Sequence, residues 1–81
     1  MNRNIYDVIS NELQSARSKY NSFSSAHEGY ATILEELDEL WDEIRKKPHK
    51  RSKEHMRKEA VQIAAMAVRF IYDVCDRDEI E

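Results

Sequence analysis

The 81 residues suffice for one small domain, and a single Gly, Pro and Cys exclude a hairpin-rich β fold, an intrachain disulfide and a Cys-rich zinc site. The 41% of hydrophobic residues recur at helical spacing, which argues against disorder, and no apolar run approaches the roughly 18 residues of a membrane span. The formal net charge of −3 combines +7 between residues 45 and 58 with −10 elsewhere, so a broad basic surface for nucleic acid is not expected.

The first two predicted helices have recognisable starts. The first extends over about residues 3–19, with Asn2 or Asn4 as its N-cap and apolar residues at helical spacing. The second begins at the capping box Ser25-Ala26-His27-Glu28 and continues to about Lys46. Between them lies a polar stretch with poor helix propensity, which predicts a connection.

The second helix carries a broad apolar stripe, about 100° wide. Its members are Tyr30, Ile33, Leu34, Leu37, Leu40, Trp41 and Ile44. We expect Tyr30 and Trp41 to lie in the core. Gly29 costs a helix about 1 kcal/mol relative to Ala, so it is expected where another backbone or a ligand approaches closely.

Pro48 disfavours helix at the preceding residue, which predicts a loop over residues 46–53. Ser52 is the predicted N-cap of a third helix that ends near Asp76 and is apolar on more than one face. A three-helix monomer cannot easily bury both faces. We therefore predict an all-α protein with one domain over residues 1–81, a three-helix protomer that packs into a helical-bundle homo-oligomer.

Acidic residues border the apolar stripe of the second helix. Glu36 and Glu39 are three residues apart and project to one side, while Glu59 and Gln62 form a polar edge on the third helix. If these helices pack antiparallel, the four side chains face one another across a groove. Converging carboxylates repel one another unless they are protonated or bridged by a cation, and hard oxygen ligands favour Mg²⁺ or Mn²⁺. The alternative is a solvated acidic face comprising Glu35, Asp38, Asp42 and Glu43.

The arrangement Glu35-Glu36-x-x-Glu39, a gap containing a loop, and then Glu59-x-x-Gln62 resembles a known signature. It is similar to the E-E-x-x-E…E-x-x-D pattern of the all-α nucleoside triphosphate pyrophosphohydrolases, the MazG-like superfamily. The resemblance covers roughly residues 25–75 and is to the short phage and bacterial proteins of that family. It implies hydrolysis of (d)NTPs to monophosphate and pyrophosphate, with Mg²⁺ held by carboxylates from two helices of a homo-oligomer.

By position, the resemblance implies that Glu36, Glu39 and Glu59 bind Mg²⁺ or Mn²⁺, and that Glu35 orients or deprotonates the attacking water. Gln62 stands where the family has Asp. A neutral amide oxygen can still bind the metal, but it supplies no negative charge. This departure leaves a second interpretation open, a non-catalytic helical oligomerisation or regulatory module that keeps the fold.

The basic segment contains candidates for contacts to phosphate. We assign Lys53, Arg57 and Lys58 to this role, and the alternative is an ordinary exposed loop. A nucleic-acid-binding role for residues 45–58 is a third interpretation, which the strongly acidic remainder opposes. The expected partners are a nucleoside triphosphate and further copies of the chain. With no membrane span and no signal-peptide pattern at the N-terminus, we expect a cytoplasmic protein.

Overall fold

The computed structural model describes residues 4–77. They form three α-helices: α1 (Ile5–Lys19), α2 (Ala26–Ile44) and α3 (Lys53–Phe70). The connection between α2 and α3 contains a 3₁₀ turn (Pro48–Lys50), and α3 continues directly into a π-helical turn (Ile71–Cys75). No strand occurs in residues 4–77, which confirms the predicted all-α class, and no helix there is long and apolar enough to cross a membrane.

Side-chain caps determine where the helices begin. Asn4, Ser25 and Ser52 each accept a hydrogen bond from a backbone N–H in the first turn of the following helix, at 2.8, 3.1 and 3.0 Å. These three predicted caps are confirmed, while the alternative cap Asn2 lies outside the described residues. The second helix ends at Ile44, slightly earlier than predicted.

The third helix is the centre of the fold. It packs against both α1 and α2, whereas α1 and α2 scarcely touch each other. The buried core joins Ala16 of α1, Phe23 of the α1–α2 connection, and Ala65 and Met66 of α3. Because α1 and α2 diverge, a groove of about 520 Å³ lies between them, with α3 as its floor.

A close contact shows that α2 and α3 are antiparallel. Gly29, near the start of α2, lies against Phe70, at the end of α3, so close that a Cβ on Gly29 would lie 2.5 and 2.9 Å from two ring carbons. A close approach at Gly29 was predicted, but the neighbour is the Phe70 side chain and not another backbone or a ligand. Glu43, near the end of α2, accepts a hydrogen bond from the N–H of Ser52, directly before α3.

Buried charges fasten α1 and the α1–α2 connection to the end of α3. Asp73 is 3% exposed; it accepts a hydrogen bond from the N–H of Phe23 at 3.0 Å and pairs with Arg17 at 3.1 Å. Arg69 lies 3.6 Å from Asp73, donates to the carbonyl of Asn21 and stacks over the Phe23 ring at 4.0 Å. The charges of Arg17, Arg69 and Asp73 are therefore paired within the fold.

The expectation that Tyr30 and Trp41 lie in the core was wrong. They are 64% and 57% exposed. The residues of α2 that face α3 are Gly29, Glu36 and Glu43, and the two aromatic residues lie roughly 100° further around the helix. Helical spacing shows which residues share a face, but it does not show whether another element covers that face.

Candidate metal site

Three carboxylates meet where α2 packs on α3. Glu36 and Glu39 come from α2 and Glu59 comes from α3, and one oxygen of each lies within 4.8 Å of the others. Glu59 is only 4% exposed, Glu36 is partly buried and Glu39 is exposed, so the cluster is open to solvent on one side. The predicted convergence of these residues across an antiparallel helix pair is confirmed.

Gln62 joins the cluster through its side-chain amide. With its nitrogen toward the carboxylates, it donates to Glu36 Oε1 at 2.7 Å and to Glu59 Oε1 at 3.1 Å. The reverse orientation would place the amide oxygen against two acceptors, which is unfavourable. Gln62 therefore links the two carboxylates in this state, and a rotation of the amide would turn its oxygen toward a cation between them.

The cluster disfavours ionisation of Glu36 and Glu39. Burial, the charge of Glu39 and a hydrogen bond to Glu59, which only a protonated carboxyl can donate, raise the pKa of Glu36 to about 7. Partial loss of hydration beside its neighbours and the charge of Glu59 also raise the pKa of Glu39, although its side chain is exposed. A divalent cation would remove this repulsion by binding all three groups in their ionised form.

The donor set fits a small hard cation. It consists of carboxylate and amide oxygens with no thiolate, which suits Mg²⁺ or Mn²⁺. Octahedral ligands at about 2.1 Å from Mg²⁺ lie within about 4.2 Å of one another. The 4.8 Å spread is therefore closed by small rotations, for which the exposed Glu39 is free.

The remaining predicted site residues lie around the cluster. Glu35 is exposed, lines the groove between α1 and α2, and contributes to the raised pKa of Glu36. The phosphate-binding candidates are all exposed, and they differ in direction: Lys53, Arg57 and Lys58. The first two project roughly 120° and 160° away from Glu59 around α3, while Lys58 projects toward the side on which Arg69 lines the groove.

Two neighbours of the cluster were not predicted. His55 Nε2 lies 3.6 Å from Glu59 Oε2, one helical turn away, and 4.0 Å from Glu43 Oε1. Glu43 is 5% exposed, so the solvated role suggested for it was wrong. It accepts hydrogen bonds from the N–H of Ser52 at 2.7 Å and from Lys46 at 3.0 Å, which lower the pKa of its carboxyl. The i, i+4 spacing of His55 and Glu59 could have predicted their contact from the sequence. No sequence pattern predicts that the loop after α2 returns to Glu43.

The groove between α1 and α2 adjoins the cluster. Glu36 and Gln62 belong to both, and the far end is formed by Lys19, Asn21 and Arg69. Its volume of about 520 Å³ lies within the roughly 300–1,000 Å³ of pockets that bind small molecules. It was not predicted, because it depends on the divergence of α1 from α2. The arrangement can hold a divalent cation at the edge of a cavity for a small ligand.

Comparison of the chain with protein-family models, curated proteins and solved structures finds no match. The MazG-like resemblance in the acidic motif therefore stays a prediction.

Proposed function

We propose that the chain is a Mg²⁺-dependent nucleoside triphosphate pyrophosphohydrolase, which converts a (d)NTP and water to a (d)NMP and pyrophosphate as a homo-oligomer. One observation carries the proposal: Glu36, Glu39 and Glu59 converge within 4.8 Å from two helices, at the edge of a groove of nucleotide size. These are the residues that the MazG-like resemblance assigns to the metal. The phosphate groups of a triphosphate are the natural ligand of a carboxylate-held Mg²⁺.

Each residue has a role in this proposal. Glu36, Glu39 and Glu59 hold the cation, and the Gln62 amide oxygen joins them after rotation. Mg²⁺ or Mn²⁺, when bound, neutralises phosphate charge and lowers the pKa of a bound water. Glu35 accepts a proton from the attacking water as the new P–O bond forms and the anhydride bond to pyrophosphate breaks.

Basic side chains bind the phosphate oxygens in the proposed site. Lys58 is the best placed of the three candidates, because it projects toward the groove side of α3. Lys53 and Arg57 project away from the groove, so they bind phosphate only if the substrate extends around α3. Lys19, which is exposed and lines the groove, is an additional cation for the far end of a bound nucleotide, whereas the charge of Arg69 is already paired with Asp73.

The test is a panel of (d)NTPs incubated with the protein and Mg²⁺ or Mn²⁺, with monophosphate and pyrophosphate both quantified. We expect equal amounts of the two products and loss of turnover in Glu39→Gln. Asp38→Asn is the matched control, because Asp38 is exposed on the same helix and lies outside the cluster. No product from any nucleotide, or unchanged turnover in Glu39→Gln, would overturn the proposal.

A second candidate is the non-catalytic helical module. It is favoured by Gln62, whose amide already satisfies Glu36 and Glu59 by hydrogen bonds without a cation. Calorimetric titration with Mg²⁺ or Mn²⁺ in the presence of a triphosphate separates the two. The enzyme proposal expects binding that Gln62→Asp tightens, because the substitution adds a charged ligand. No binding by either form supports the module.

A further inference from the structure

Large apolar side chains form an exposed line along α2. Tyr30, Leu34, Leu37 and Trp41 are 64%, 38%, 48% and 57% exposed. They are spaced four, three and four residues apart, which is the spacing by which a helix presents an apolar line to another helix. We call these four residues the α2 line.

A line of three alanines runs along α3 and continues to Ile71 of the π-helical turn, with the same spacing. Ala60, Ala67 and Ile71 are exposed and Ala64 is partly buried. Alanine side chains leave room for large side chains of an opposing helix, so that one surface fills the spaces of the other. We call these four residues the α3 line.

Both lines lie on the same side of the α2–α3 pair. On each helix the line is rotated roughly 100° forward from the residues that face the other helix. Because α2 and α3 are antiparallel, equal forward rotations bring the two lines to one side. The groove and α1 lie on the opposite side, which α3 reaches through Arg69 and Asp73.

A two-fold axis parallel to the helix axes would place the α2 line of each copy on the α3 line of the other. This rotation leaves the position of every residue along the helix axis unchanged. Contacts within the chain show which residues of α2 and α3 have the same position along the helix axes: Gly29 lies beside Phe70, and Glu36 lies beside Gln62. For a residue of α2 and a residue of α3 at the same position along the helix axes, the two residue numbers therefore sum to about 98.

This register matches three of the four residues of the α2 line with alanines of the second copy, and it places Trp41 level with Arg57. Leu37 meets Ala60, Leu34 meets Ala64 and Tyr30 meets Ala67. Two-fold symmetry then repeats every contact, as in an isologous interface. The surface is therefore complementary to itself in shape.

The charges that flank the two lines are also complementary. Asp42 follows the outer edge of the α2 line, and Arg57 follows the outer edge of the α3 line. In the same register Asp42 lies level with Arg57. Opposite charges at such flanking positions favour the pairing of two helices.

The exposed apolar area is close to that of a small dimer interface. The exposed fractions of the α2 line and Ile71 correspond to roughly 500 Å² of apolar surface per copy, counting about 200 Å² for a large side chain. Two copies with the alanines added approach the roughly 1,200 Å² of a small specific interface. We propose that the α2 line of each copy packs on the α3 line of a second copy. This proposal identifies the contact surface of the homo-oligomer in the proposed function. It is argued from the exposed surface of α2 and α3 and does not depend on the hydrolase activity.

The first test is the mass in solution by light scattering at micromolar concentration, with circular dichroism as the check on folding. We expect twice the mass of the chain for the wild type and a monomer of unchanged helicity for Leu37→Lys. Tyr6→Lys is the matched control, because Tyr6 is 76% exposed on α1, away from both lines, and this variant stays a dimer. A folded wild-type monomer, or a dimer that Leu37→Lys leaves intact, would overturn the inference.

The second test fixes the arrangement by disulfide cross-linking in a Cys75→Ser background, which removes the exposed native thiol. Leu34→Cys and Ala64→Cys chains of different mass tags are mixed and oxidised, and a mixed dimer is expected. Cross-linking of Leu34→Cys chains mainly to one another would overturn the arrangement. A cross-linked dimer without nucleotide hydrolysis contradicts only the proposed activity, whereas an active monomer contradicts the interface and the homo-oligomeric state but not the activity.

Discussion

Replacing Glu36 by Gln should stabilise the protein at alkaline pH and leave its stability unchanged at acidic pH. Burial, together with Glu39 and Glu59, raises the pKa of Glu36 to about 7 in the folded chain, from an ordinary value of 4.5. The folded state therefore binds the proton more tightly than the unfolded state. The stability from this group is fully present below the unfolded pKa and is lost as the pH rises through the folded pKa. A Gln amide imitates the protonated carboxyl at every pH.

The magnitude follows from the shift. A change from 4.5 to about 7 corresponds to at most about 3.4 kcal/mol, at about 1.36 kcal/mol for each pKa unit. Glu36 is only partly buried, so solvent screening reduces the effect, and we expect roughly 2 kcal/mol. For a domain of this size the total free energy of unfolding is roughly 4–12 kcal/mol, so the gain is readily measured.

The assay is urea unfolding of wild type and Glu36→Gln, followed by circular dichroism in the presence of EDTA, at about pH 4, below the unfolded pKa, and at about pH 8.5. The control Glu12→Gln removes a partly buried helix carboxylate outside the cluster, and its effect should differ by less than about 0.5 kcal/mol between the two pH values. A difference between wild type and Glu36→Gln that is the same at both pH values would refute the reasoning. With EDTA replaced by Mg²⁺, the wild type should recover stability at alkaline pH, because the cation binds the folded state.

Other substitutions test the packing by urea unfolding. Gly29→Ala should lose about 1–2 kcal/mol in spite of the better helix propensity of Ala, because its Cβ would lie 2.5 Å from a Phe70 ring carbon; a gain in stability would show that the ring moves freely. Asp73→Asn should lose about 3 kcal/mol, because the buried guanidinium of Arg69 loses its counter-charge, and a neutral result would contradict the role of this pair. Glu43→Gln should destabilise the chain at neutral pH. That loss should shrink as the pH falls through the lowered pKa of Glu43, and a loss independent of pH would show that its charge is not what stabilises the fold.

Local signals in the sequence were enough to predict the helices and the centre of the candidate site. The caps Asn4, Ser25 and Ser52 are short-range features, since each side chain reaches an amide only two or three residues away. The three-residue spacing of Glu36 and Glu39 fixes their common direction once the helix is known. Their meeting with Glu59 needed one further assumption, that α2 and α3 are antiparallel, which a short connection makes the default.

Features that depend on long-range packing could not be predicted. The exposure of Trp41 follows from how little of α2 is covered by α3, and a sequence periodicity contains no information on coverage. The burial of Glu43 depends on the path of the following loop, which returns the N–H of Ser52 to its carboxylate. Likewise Asp73 is buried only because Phe23 and Arg17, far away in sequence, pack around it.

The buried carboxylates of this chain differ in how the fold compensates their charge. Asp73 has arginine partners and a backbone N–H, and Glu43 has a lysine and a backbone N–H. Glu59 and its neighbour Glu36 face a neutral amide and, at 3.6 Å from Glu59, a half-exposed imidazole. An uncompensated buried charge costs free energy, and substitution by Gln would remove that cost. In residues 4–77 the three carboxylates thus converge where a groove gives a cation access. Binding of a cation requires this arrangement, whereas the stability of the fold does not.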